Sequence, residues 1–522
     1  MASRVSLVKR PTAHRKDPAC GTCRKKCRKC DRKRPICDRC RTRGLHCEGY
    51  PPRFQFCEMA TIPEPRDPDD ASRTSVTLAH SSVSPSEVSV VPEVAGESVS
   101  PQVSLSNDPT FRDFPTVSLP SPPSPTHSAT TSDFQQDLTS NQPLIEYFQQ
   151  VLSEYLTISI EGTDNPFREH ILPLVYQHQG ILHALLGLSA CHMHISGRNE
   201  SQRFVTISLQ YQGLALHSLG ALLLQEEVSG LTPLEEECVL GMVLLLVLHD
   251  VCESGISSNG AHLTGVSFLC KRLACPTDFS TRSKASMFFI SALSWLDMLR
   301  GFSGAEKLAY DGDVRKCVRD HGSLSLHTLV GCPPIIFYRI GQVLESGKSY
   351  LAGDLSVEQF QEFLIEAEKF FRGWDPDLAI YPTGHQEWRY LAEAYRHACL
   401  LRVLRFPDAF AISCDDPRIK TSVRAIFDAC AAIPRDTAFY KRLLFPLFLA
   451  GADTSSPHQM HYASWCIGEI KHATGFQHPA MTDVLTKVWE ERRANPDSQA
   501  NVPWMEFTCS EFLSPQHAYL FF

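Results

Sequence analysis

The sequence predicts three parts in one chain: a small cysteine-rich N-terminal module, a disordered Ser/Thr/Pro-rich linker, and a large all-α domain. Three observations predict this. Eight of the 20 cysteines crowd into residues 1–60. Ser, Thr and Pro fill 38 of the 80 positions from 61 to 140. From about residue 142 onward, apolar residues recur at helical spacing, with no convincing run of strand-like alternation. At 522 residues the chain is too long for one domain, and its 43% apolar content suffices for one large core. The expected division is 16–50, 58–141 and 142–522.

Charge separates the same parts. The net charge of −8 hides 17 Lys/Arg against 5 Asp/Glu in residues 1–60, a balance of +12, so the other 462 residues carry −20. One end suits a polyanion and the remainder does not. The first 30 residues are basic and lack an apolar h-region, which argues against a secretory signal. The longest apolar run, Cys238 to Leu248, is about half of what a bilayer requires, so no membrane partner is expected. Clustered cysteines in a reducing compartment are metal ligands or redox groups before they are disulfides.

The cluster itself reads CGTCRKKCRKCDRKRPICDRCRTRGLHC from Cys20 to Cys47. Cys20, Cys23 and Cys30 are spaced C-x2-C-x6-C, and Cys37, Cys40 and Cys47 repeat that spacing 17 residues later. Two intervening residues let both sulfurs of a pair reach one metal ion from a tight turn. Three thiolates per half do not complete a tetrahedron, and six satisfy two zinc ions only if two sulfurs bridge. An iron–sulfur site is disfavoured because the usual spacings are absent and eight of the eleven residues from Arg24 to Arg34 are basic. A protein-binding zinc module would normally bring His or eight ligands; His46 reads as a bystander.

This segment resembles the fungal zinc binuclear cluster (Zn2Cys6) DNA-binding domain, whose two C-x2-C-x6-C halves flank a short Pro-containing loop, here Asp31 to Ile36 with Pro35. The resemblance implies two structural zinc ions, with Cys20 and Cys37 bridging, Cys23 and Cys30 completing one site, and Cys40 and Cys47 the other. It also implies double-stranded DNA as partner. Base contacts would come from Lys26 and Cys27, and phosphate contacts from Arg24, Lys29 and Arg32. Phosphate contacts supply salt-dependent affinity, and donors to base edges supply sequence. Cys27 departs from the family, where that position is usually Lys or Arg. A thiol lacks the charged donor of a good base contact, which puts the family's common CGG half-site in doubt. Arg4, Lys9, Arg10, Arg15 and Lys16 lie outside the cluster and suit nuclear import.

Many family members continue into a coiled coil that sets half-site spacing. Here Pro51, Pro52, Pro63, Pro65 and Pro68 forbid a continuous helix, so any homodimer must form through the helical part. The linker carries no Lys and 11 acids against 3 Arg, too little apolar surface to offset the entropy of ordering. Its scattered Phe111, Phe114 and Phe134 beside Asp113 and Asp133 suggest a weak activation surface, and a spacer is the simpler reading.

In the third part, Ser356 with Gln359 forms a capping box ahead of Val357, Phe360, Leu364, Ala367 and Phe371 at helical spacing. Thr232-Pro233-Leu234-Glu235 opens another helix, and Ser456-Pro457-His458-Gln459 repeats the logic. Trp388, Leu391, Ala392, Tyr395 and Cys399 line one helical face. More than ten helices are expected. Phrases between 205 and 455, among them SLQYQGLALHSLGALL, GMVLLLVLHDVCESG and WLDMLRGFSG, resemble the fungal-specific transcription factor domain of the second type. That resemblance implies an all-helical regulatory region, a nuclear transcription factor of RNA polymerase II genes, and contacts with co-regulators. No HExxH, Walker A or G-x-S-x-G appears, so no enzyme is expected. Cys191-His192-Met193-His194 reads as a core cysteine with satisfied histidines, and Cys332 as a small buried thiol. The remaining alternatives are a promoter-recruited regulator whose cluster meets proteins, and an enzyme in the helical part.

Overall fold

A computed structural model describes residues 37–43, 47, 131–197, 202–257, 261–275, 283–322, 325–494, 500–508 and 518–519. The linker expected over 58–141 lies outside them up to position 130. The helices in chain order are α1 Asp38–Thr42, α2 Thr131–Ser140, α3 Gln142–Tyr147, α4 Ser153–Tyr155, α5 Pro166–Val175, α6 Gln179–Ile195, α7 Gln202–Ser229 and α8 Pro233–Glu253. They continue as α9 Ala261–Gly265, α10 Ser267–Ala274, α11 Lys284–Ser303, α12 Gly312–His321, α13 Ser325–Val330 and α14 Pro334–Ala352. The last are α15 Val357–Gly373, α16 Glu387–Leu404, α17 Pro417–Ala432, α18 Leu444–Asp453, α19 Pro457–Thr474 and α20 Pro479–Ala494.

Helix α2 begins at Thr131, inside the stretch whose composition assigns it to the linker. Leu138 of α2 is buried and Phe134 packs against the core, which anchors this helix although its sequence is polar. Phe134 is therefore a packing residue rather than part of an exposed acidic–aromatic surface.

The all-α expectation holds, with one small addition. Ile256–Ser257 (β1) pairs antiparallel with Ala518–Tyr519 (β2). Two residues per strand are too few to register as alternation in a sequence. No described helix is long and apolar enough to cross a membrane.

Two predicted helix starts form as expected. Thr232 and Ser356 each accept from the backbone N–H three residues on, while the Glu235 and Gln359 side chains reach back to complete the boxes. The third differs. Pro457 does open α19, but Ser456 makes no side-chain cap. Thr454 instead fixes the residue that leads into the helix: its hydroxyl accepts from the Ser456 N–H at 3.1 Å and donates to Gln459. In α15 the apolar face is Phe360, Leu364, Ala367 and Phe371, all buried, whereas Val357 is exposed.

Helix α11 organises the core. Its residues from Ser286 to Ser303 are all buried, the mark of an element surrounded by others. Phe288 meets Phe167 of α5 edge-on at 5.2 Å, and Trp295 meets Tyr395 of α16 at 5.4 Å. Phe302 stands edge-on to Phe445 of α18 at 4.9 Å. Near the end of α11, a Cβ on Gly301 would lie 2.9 Å from Leu308 and 3.0 Å from Leu344, so glycine lets α14 approach closely. Asp297 accepts from the Ala309 and Tyr310 N–H groups at 2.8 and 3.0 Å, fixing the chain that leaves this helix.

Candidate metal centre and nucleic-acid interface

Cys37 precedes α1 in an extended conformation, and its Sγ accepts the Cys40 N–H at 3.3 Å. The C-x2-C spacing thus wraps the turn around the first sulfur and brings the second back beside it. The Arg41 N–H closes the turn on the Cys37 carbonyl at 3.1 Å. Cys47 returns to the same place, and the Sγ atoms of Cys37, Cys40 and Cys47 all lie within 4.8 Å of one another. Cys37 and Cys40 are fully buried and Cys47 half-buried. Zinc–thiolate bonds of 2.3 Å put tetrahedral sulfurs about 3.8 Å apart, so the three are already close to the spacing zinc requires. An N–H donated to a ligating sulfur also orients it and spreads its charge.

The structure therefore brings the second half of the repeat together. Cys20, Cys23 and Cys30 lie outside the described residues, as do Arg24, Lys26, Cys27, Lys29 and Arg32. One feature of the second half was missed from sequence. Arg41 and Arg43 are exposed beside the thiol cluster. They stand 17 positions after Arg24 and Lys26, so the repeat that paired the cysteines also pairs these cations.

Elsewhere, residues that suggest chemistry are used for packing. His192 is buried, bonded to the Tyr147 hydroxyl at 2.8 Å and the Thr474 carbonyl at 2.9 Å. Cys332 is buried and its thiol is pushed well above its ordinary value by burial. Trp388 donates to Thr383 at 2.9 Å and meets Phe439 edge-on, and Tyr395 donates to the Arg442 carbonyl at 3.0 Å.

A Ser208–His249–Gln212 chain, with Ser208 and His249 buried and Gln212 half-buried, imitates a nucleophile–base pair. His249 Nε2 is 2.7 Å from Ser208 Oγ, and Gln212 donates to His249 Nδ1 at 3.2 Å. That polarity makes Nε2 the N–H donor to Ser208, whose own proton goes to the Gly187 carbonyl at 3.1 Å. The imidazole gives a hydrogen bond where a general base must accept one. Among the described residues, Cys37, Cys40 and Cys47 are the one group of three ligand side chains placed to share a metal ion.

Comparison with known proteins agrees with this geometry. Residues 143–522 match the fungal specific transcription factor domain, and residues 18–56 match the fungal Zn(2)-Cys(6) binuclear cluster domain. The acriflavine sensitivity control protein acr-2 of Neurospora crassa is 21% identical over 377 residues, covering 66% of this chain and 61% of that relative. The chain thus spans less than two thirds of the curated relative it matches. No solved structure matches.

Proposed function

Since the chain belongs to the fungal-specific transcription factor family and carries a Zn(2)-Cys(6) cluster that binds two zinc ions and DNA in the nucleus, we propose that it is a sequence-specific regulator of RNA polymerase II genes. In this reading all six cysteines are zinc ligands: Cys20 and Cys37 bridge, Cys23 and Cys30 complete one site, Cys40 and Cys47 the other. Both matched families are transcription factor families and not enzyme families. The observation that carries the ligand assignment is the convergence of the Cys37, Cys40 and Cys47 sulfurs within 4.8 Å.

Zinc is structural here, contributing about 10–16 kcal/mol of folding free energy in comparable small modules. The protein residues do the recognition. Arg24, Lys29 and Arg32 hold phosphates, and Lys26 with Cys27 faces base edges. Arg41 and Arg43 add positive charge from the second half. The parts divide in outline as 16–50, 58–141 and 142–522, with the helical domain extended back to Thr131. That domain is the site of dimerisation and of contact with co-regulators. The regulated genes are a metabolic or biosynthetic set, a reading supported by a relative named for control of sensitivity to a small molecule.

Selecting bound duplexes from a random pool with the zinc-loaded full chain, alongside metal counting, tests the proposal. Two zinc ions per chain and an enriched motif are expected. Two zinc ions with no enrichment would transfer recognition to a partner, and fewer than two would refute the ligand set.

A further inference from the structure

Helix α7 is anchored on one side and, among the described residues, uncovered on the other. Phe204, Ile207, Tyr211, Ala215, Leu219 and Leu222 are buried. On the opposite side, Leu209, Leu216, Leu224 and Val228 are 54%, 40%, 65% and 87% exposed. Of the exposed positions along this helix, only Glu227 carries a formal charge. Gly213 and Gly220 lie in the same stripe, and a Cβ on either meets nothing within 4 Å among the described residues. Neither has a positive φ. Packing within the described chain therefore gives no reason for glycine, although alanine is the better helix former.

The stripe has internal symmetry. About a point between Leu216 and His217, Val205 mirrors Val228, Leu209 mirrors Leu224, and Gly213 mirrors Gly220. In an antiparallel helix pair, residues equidistant from the crossing point face each other. A second copy of α7 related by a two-fold axis would set Leu209 on Leu224 and the half-buried Val205 on Val228, with Leu216 against the exposed His217. The two glycine notches would let the backbones approach, as a self-complementary isologous contact requires.

Area decides how strong this contact is. From Leu209 to Val228 the stripe is about 29 Å long and about 10 Å wide, about 300 Å² per copy against about 800 Å² in a stable interface. The prolines after the cluster remove the alternative of a coiled coil.

We infer that the exposed face of α7 is a weak two-fold contact with a second copy of this chain, formed when two copies share one DNA duplex. Tethering on a common duplex raises the effective concentration to about millimolar, where a small contact suffices. The inference rests on the DNA-binding reading for its setting, and its surface is tested separately.

Sedimentation equilibrium of the full-length, zinc-loaded protein without DNA, from about 5 µM to about 500 µM, should reveal a monomer that dimerises only toward the upper end. Leu216→Glu should weaken dimerisation at least tenfold with an unchanged Tm. Gly213→Ala with Gly220→Ala should raise the Tm and still weaken dimerisation, because the notches are filled. A monomer throughout, or a dimer indifferent to Leu216→Glu, would overturn the inference. So would a lower Tm for Leu216→Glu, which would mean that the chain's own residues cover the face. On selected duplexes, wild type should bind two sites at least tenfold more tightly than expected from one site, and Leu216→Glu should lose this excess. Dimerisation sensitive to Leu216→Glu without any duplex binding would refute the DNA reading and keep the α7 contact. Duplex binding by a strict monomer would do the reverse.

Discussion

His249 is a buried imidazole held neutral by its neighbours, and burial lowers its pKa to about 4. Nδ1 accepts from Gln212 and Nε2 donates to Ser208, so protonation would set an N–H against the Gln212 amide. In the unfolded chain the same group titrates near 6.5. Between those values the unfolded state binds more protons, so stability falls as pH falls from about 6.5 toward 4 and levels off below. At pH 4.5 the loss from this one residue should be about 2 kcal/mol. His327, held at about 4, adds in the same direction. Urea denaturation of wild type and His249→Gln from pH 7 to pH 4.5 checks this: the variant should lose about 2 kcal/mol less. Equal losses would show that the imidazole is not kept neutral. The cluster offers a second prediction at this scale. Cys37→Ala removes a proposed bridge and should empty both zinc positions, whereas Cys47→Ala removes a ligand of one ion only; zinc per chain by mass spectrometry under native conditions distinguishes them. Lys26→Ala should cost about 1–3 kcal/mol of discrimination at one base pair, while Arg24→Ala should weaken binding to all duplexes and reduce the salt slope by about 1. Single ligands were legible because thiol spacing is fixed by reach. The Ser208–His249–Gln212 chain was not, because it joins positions separated by 41 residues that no spacing rule connects.

Helix starts carry their instructions in three or four adjacent residues, which is why two of the three proposed caps form as read. At Ser356 the hydroxyl accepts the Gln359 N–H at 3.2 Å and the Gln359 side chain returns to the Ser356 N–H at 3.0 Å. Ser356→Ala should therefore cost about 1 kcal/mol in a denaturant titration. Ser456→Ala should cost less than about 0.5 kcal/mol, because Thr454 satisfies the backbone there and Ser456 contributes only its N–H. Thr454→Ala should be the more damaging change. The reverse ranking would restore Ser456 as the cap. The misreading has a local cause: Thr, Ser and Ser stand in succession at 454, 455 and 456, and each is an acceptable cap residue. Tertiary contact also decided α2, whose Ser/Thr-rich sequence reads as linker until Leu138 finds the core.

At the scale of the molecule, periodicity identified the fold class and stopped short of topology, and α11 explains why. A helix covered on all sides has no polar stripe, so its sequence does not say which neighbour lies where. Its aromatic contacts do: Phe288 faces α5, while Trp295 and Phe302 face α16 and α18. Residues from both ends of the domain therefore share one central element, and the buried apolar residues form one cluster running from Leu138 to Trp504. A core joined in this way should unfold as a unit. Trp295 is 3% exposed and lies edge-on to both Tyr395 and Phe445. Trp295→Ala removes the bridge and leaves a cavity between helices that cannot close around it, a loss of about 3–5 kcal/mol. Wild type should show one transition in urea, coincident by far-UV circular dichroism and by tryptophan fluorescence, since Trp388 and Trp504 report on distant parts of the same core. Trp295→Ala should move that transition to lower urea as a whole. If instead the signals separate in wild type, the helices before and after α11 are independent folding units, and the central helix packs against both without coupling them.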